Sequence, residues 1–79
     1  MAIVRMFASA REAAGRSHDD VPGATVADVL DAARQRYGAA FSDVLGTCRI
    51  WVNGEPAAPT TVVDGDDEVA VLPPVSGGT

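Results

Sequence analysis

The stretch Thr25-Val26-Ala27-Asp28-Val29-Leu30-Asp31-Ala32-Ala33-Arg34-Gln35-Arg36-Tyr37-Gly38 decides the fold. Thr25 is a strong N-cap residue, and Asp28 stands three positions on, where a capping box puts an acid. Val26, Val29, Leu30, Ala33 and Tyr37 recur at helical spacing. Asp28, Asp31, Arg34 and Gln35 fall largely on the other side. Acid near the start, with Arg34 and Arg36 near the end, complements the helix dipole. Gly38 is a natural stop. The spacing predicts one long helix of about three turns. Its apolar stripe needs a sheet to cover it.

Toward the C-terminus, Phe41, Val44 and Leu45 keep turn-like spacing, so a short second helical segment over 39–45, closed by Gly46, is expected. Residues 48–52 read as a strand with Ile50 and Val52 inward and Arg49 and Trp51 outward. Asn53-Gly54 is a two-residue hairpin turn. Glu55-Pro56-Ala57 opens a weak return strand that Pro59 ends. Val62 and Val63 are expected to plug the core beneath a loop. Asp64-Gly65-Asp66-Asp67 reads as a turn. Residues 68–72 form the last strand, with Val69 and Val71 inward.

Toward the N-terminus, residues 2–8 read as a strand with Val4 and Met6 on one face and Ile3, Arg5 and Phe7 on the other. Ser9 is expected to cap a short helix over 10–14, with Glu12 completing the box and Gly15 stopping it. Residues 16–20 are polar, and with Val21-Pro22 they suit a short edge strand or a loop. A mixed sheet packed on one long helix satisfies the need for two layers. If the first and last strands pair in parallel, the helical chain between them supplies the crossover. This is an α+β, ubiquitin-like β-grasp arrangement. A ferredoxin-like sheet would need a second long helix, and none follows residue 45. The expected division is one domain over 1–74 and a flexible tail over 75–79.

A chain of 79 residues has a small core, and carving a substrate pocket into it would cost much of its stability. A self-contained enzyme is not expected. The net charge is -5, and all six basic residues are arginine. Nucleic acid and anionic membrane are therefore poor partners, and a basic protein surface is the better one. Cys48 is the sole cysteine, so no internal disulfide framework exists. No apolar run approaches a membrane span, and no signal-peptide pattern opens the chain. A reducing cytoplasm is the expected location.

The tail is unusual. Pro73-Pro74 stiffens the exit from the last strand, and Gly77-Gly78 removes two side chains near the chain end. A thin, bare segment can enter a channel that bulkier chain cannot. Glycine also loses the most entropy on ordering, which calls for a compensating use. A frayed terminus with no role is the plain alternative.

Three stretches together carry a resemblance that spans nearly the whole chain. They are Val4-Arg5-Met6-Phe7-Ala8-Ser9-Ala10-Arg11-Glu12-Ala13-Ala14-Gly15, Ile50-Trp51-Val52-Asn53-Gly54-Glu55, and Asp64-Gly65-Asp66-Asp67-Glu68-Val69-Ala70-Val71-Leu72-Pro73-Pro74-Val75-Ser76-Gly77-Gly78. In these the sequence resembles the MoaD/ThiS-like sulfur-carrier family of ubiquitin-like proteins, most of all the small subunit of molybdopterin synthase. The resemblance implies that the Gly78 carboxylate is the functional group and that Gly77 lets the chain thread a narrow site. It implies that an ATP-using, ubiquitin-activating-like adenylyltransferase activates Gly78, and that a sulfur donor then turns the adenylate into a thiocarboxylate. The tail would next enter the large synthase subunit and give its sulfur to a cyclic pterin. No cofactor would be bound stably by this chain, because ATP and the catalytic side chains belong to the partners. Thr79 departs from the pattern, since it ties the Gly78 carboxyl into a peptide bond. Removal by a C-terminal peptidase is one expectation. Activation of Thr79 itself, loss of carrier activity and an altered sequence end are the others.

The outward sheet face offers a second expectation. Phe7, Trp51 and Leu72, beside Arg5 and Arg49, would dock a partner, with Pro74 and Val75 leading into its site. A coverage by loops, or a slip of one residue in strand phase, would remove that surface. His18 beside Asp19 and Asp20 lacks a metal-ligand spacing and reads as a solvated loop. Cys48 has no nearby histidine to activate it and reads as a strand thiol. Asp64, Asp66, Asp67 and Glu68 lack the remaining positions of a calcium loop. Two rival functions stand beside the leading one. One is sulfur carriage for cysteine, thiamine or a secondary metabolite, and the other is a ubiquitin-like binding module without sulfur.

Overall fold

A computed structural model of the chain describes residues 1–74. The elements run β1 (Ala2–Met6), α1 (Ala8–Ala14), β2 (His18–Val21), α2 (Val26–Tyr37), α3 (Ala39–Leu45), β3 (Arg49–Val52), β4 (Glu55–Pro56) and β5 (Glu68–Leu72). They build one five-stranded sheet in the order β2-β1-β5-β3-β4. The central pair, β1 and β5, is parallel, and every other pair is antiparallel. This is the mixed sheet of a ubiquitin-like β-grasp.

Helix α2 starts as its sequence dictates. The Thr25 hydroxyl accepts from the Asp28 N–H at 3.3 Å. Val26, Val29, Leu30 and Ala33 are buried beneath it. They meet Val4 and Met6 of β1, Val69 and Val71 of β5, and Phe41 and Leu45 of α3 in one core cluster. The Tyr37 and Phe41 rings pack edge to face at 5.1 Å across the Gly38 break. Gly38, at φ 94°, ends α2 and starts α3. The hairpin between β3 and β4 turns at Asn53 (φ 52°) and Gly54 (φ 84°), the two positive dihedrals that a type I′ turn requires.

Two local expectations are corrected. Strand β1 stops at Met6 and α1 begins at Ala8, so Ser9 is not the cap. The Phe7 carbonyl accepts from the N–H groups of both Ala10 (3.0 Å) and Arg11 (3.3 Å), so the helix is capped at Phe7 and its first turn closes before Ser9 could cap it. Ala8 holds φ 49° to make that corner. Val62 does not plug the core: it is 75% exposed while Val63 is 4% exposed. The segment is extended here, bridged to Thr25 at Val62 and bonded from the Val63 N–H to the Ala24 carbonyl. Successive side chains of an extended segment point to opposite sides, so only one of the two valines can enter the core.

Candidate functional site: the outer sheet face and the tail exit

The helices cover one face of the sheet, and register fixes what lies on the other. Arg49 pairs with Leu72, Trp51 with Ala70 and Pro56, and Arg5 with Ala70. A row Arg5–Ala70–Trp51–Pro56 therefore crosses four strands. One step along β5, the Phe7 N–H donates to the Val71 carbonyl at 3.3 Å, which continues the parallel register and sets Phe7 beside Leu72. A second row, Phe7–Leu72–Arg49, thus lies at the end of the sheet where β5 hands over to Pro73-Pro74.

The five expected docking residues of the sheet are thereby brought together on one face. They differ in exposure. Phe7 is 43% exposed, whereas Trp51 and Leu72 are half-buried. Arg5 and Arg49 are exposed, as is Pro74. Arg5 is tied to Glu68, with Nε 3.0 Å from Oε2. Arg49 makes no ion pair among the described residues. Val75, Gly77, Gly78 and Thr79 lie outside the described residues.

Beyond this face, several polar groups are held by neighbours. Asn53 joins the hairpin to the acidic turn. Its amide donates to Asp67 Oδ1 and its carbonyl oxygen accepts from the Glu68 N–H, each at 2.9 Å. That amide, with the Asp64 N–H, holds the Asp67 carboxyl below its ordinary range. Burial pushes the Cys48 thiol up, and its Sγ donates to the Val44 carbonyl at 3.2 Å. His18 Nδ1 shares a hydrogen bond with the Ser17 hydroxyl at 3.3 Å. Among the described residues no three metal-ligating side chains gather, and no helix is long and apolar enough to cross a membrane.

The cluster that the sequence reading missed centres on Asp19. Its carboxylate accepts from the Tyr37 hydroxyl at 2.6 Å and from Arg36 at 2.8 Å, and Arg16 lies 3.2 Å away. These partners hold Asp19 at about 2, and the Tyr37 bond is the largest cause. Tyr37 is pushed up to about 12, by burial first and by its bond to Asp19 second. The available signal was alternation: Asp19 stands two before inward Val21, so in a strand it shares the inner face.

Comparison with known proteins agrees with this architecture. The model of the ThiS family matches residues 4–78. The chain is 39% identical to small archaeal modifier protein 1 of Haloferax volcanii, over 94% of this chain and 97% of that protein. It is 32% identical to the molybdopterin synthase sulfur carrier subunit of Phaeosphaeria nodorum, over 91% of this chain and 84% of that protein. Among solved structures, the solution structure of small archaeal modifier protein 1 from Methanosarcina acetivorans superposes with a TM-score of 0.87 at 32% identity. That match covers 98% of this chain and 95% of the other.

Proposed function

The chain belongs to the ThiS family of ubiquitin-like sulfur carriers, and from that premise we propose that it carries sulfur on Gly78 as the small subunit of molybdopterin synthase. The observation that supports this best is the extent of the family match, which runs through the second glycine of the tail, Gly78. The similarity to a molybdopterin synthase sulfur carrier subunit supports the pathway. A carboxylate is a poor electrophile. Transfer of AMP from ATP to the Gly78 carboxylate, with loss of pyrophosphate, gives it a good leaving group. Sulfide (HS⁻) released by the sulfur donor then attacks the acyl carbon. A C–S bond forms, the bond from the acyl carbon to the phosphate oxygen breaks, and AMP departs, leaving the thiocarboxylate with loss of one proton. ATP and the groups that bind it belong to a ubiquitin-activating-like adenylyltransferase. The large subunit of the synthase receives the tail, and holding the sulfur against its acceptor makes the transfer effectively unimolecular. The outer face built from Phe7, Leu72, Arg49, Trp51 and Arg5 docks these partners, and Pro74 and Val75 lead the chain into their sites.

The test is intact mass. A chain ending at Gly78, incubated with an activating enzyme, ATP and a sulfur donor, should gain the difference between one sulfur and one oxygen atom. The chain ending at Thr79 should not, until a peptidase removes that residue. Sulfur gained with Thr79 still attached would overturn the assignment to Gly78. A second reading, a carrier or modifier in another pathway, is favoured by the identity to a protein named as a modifier. Addition of the large synthase subunit and its pterin substrate separates the two. Discharge of the thiocarboxylate supports the first reading, and a carrier that stays charged supports the second.

A further inference from the structure

Sheets expose two edges, and each is a template on which another chain can add a strand. Here the edges are β2 and β4. Strand β4 is two residues long and includes Pro56, which has no N–H to offer. Strand β2 is longer and therefore needs another form of closure.

The backbone of β2 shows which groups face outward. The Met6 N–H donates to the Ser17 carbonyl at 2.8 Å. Ser17, Asp19 and Val21 thus turn their peptide groups toward β1, and His18 and Asp20 turn theirs away. Both outward groups of Asp20 are already occupied. Its carbonyl accepts from Arg36 at 2.7 Å, and its N–H donates to Asp19 Oδ1 at 2.9 Å. The same guanidinium nitrogen donates to Asp19 Oδ2 at 2.8 Å, and the Tyr37 hydroxyl and Arg16 hold that carboxylate from two other directions. One arginine from α2 therefore lies across the free edge, locked by the inward acid of the strand it covers.

We propose that Arg36 is an edge guard that closes β2 against strand addition, and that without it β2 pairs with β2 of a second copy of this chain. The outward N–H and carbonyl of His18 complete the template that the guard interrupts. The consequence for the family role is steric: partners approach the sheet by its outer face and the tail, and the edge is closed to them.

The experiment uses the full 79-residue chain. Arg36→Met keeps an aliphatic stem and removes every donor. Light scattering and sedimentation should find wild type monomeric and the variant self-associating at least about tenfold more tightly. Adding His18→Pro to Arg36→Met removes an outward N–H without touching the bonds to β1, and it should restore the monomer. Circular dichroism confirms that each variant is folded, and Arg36→Leu, which also lacks a donor, replaces Arg36→Met should the latter fail that check. A folded, monomeric Arg36 variant would overturn the proposal. Association that survives His18→Pro would overturn it as well, because it would run through another surface.

Discussion

Gly23 lies where the chain leaves β2 for α2, at φ 150°. A Cβ at this position would stand 2.6 Å from the Val29 nitrogen, 2.7 Å from Val29 Cγ2 and 2.9 Å from the Asp28 carbonyl carbon. Two of those atoms are helix backbone, which cannot rotate aside. Gly23→Ala should therefore cost about 2–3 kcal/mol, from overpacking and an unfavourable dihedral together. Urea unfolding measures it, and a loss below about 0.5 kcal/mol, the range of an ordinary surface change, would show that the approach relaxes freely. Nothing in the sequence singles out Gly23, because the clash involves atoms five and six residues on. Asn53-Gly54 was legible for the opposite reason. Its demand is two local positive dihedrals, and the dipeptide itself states that demand.

The contrast repeats among elements. Helix α2 announced its start through Thr25, whose hydroxyl reaches a neighbouring N–H within one turn. Helix α1 did not, because its first turn closes on the carbonyl of Phe7, and Ala8 takes φ 49° with no side-chain cap. Backbone corners of this kind leave no residue-type signature. The tie between β2 and α2 was equally silent, since Asp19, Arg36 and Tyr37 meet only after the chain folds. It makes a pH prediction. Asp19 falls from 3.8 to about 2 on folding, so its contribution is fully present above about pH 4 and is lost as pH falls through 2. Tyr37 rises from 10.0 to about 12, so its contribution is present below pH 10 and is lost as pH rises through 12. The stability gap between wild type and Asp19→Asn, read from urea midpoints, should be flat from about pH 5 to 9 and close toward pH 2. A gap that persists undiminished at pH 2 would show that the carboxylate charge contributes nothing to the tie.

At the scale of the molecule, the proposed function divides two tasks between the two faces of one sheet. Val4, Met6, Val69 and Val71 are at most 1% exposed and hold the helices. Phe7, Leu72, Arg49, Arg5 and Trp51 share the other face, where β5 delivers the tail. Alternation along β3 and β5 made that division readable in the sequence. The half-burial of Trp51 and Leu72 was not readable, because alternation assigns a side chain to a face and does not say how much of it its neighbours cover. The division predicts that stability and docking separate by face. Val71→Ala removes two buried methyl groups and should cost about 1.5–3 kcal/mol, while the folded fraction binds an activating enzyme as wild type does. Trp51→Ala should cost only about 1 kcal/mol of stability, the scale of a cross-strand pair. It should weaken binding to that enzyme by about tenfold or more, as loss of an aromatic anchor does at an interface. Paired urea and titration measurements place each variant on both axes. Trp51→Ala binding with wild-type affinity would remove the outer face from the docking surface and leave recognition to the tail alone.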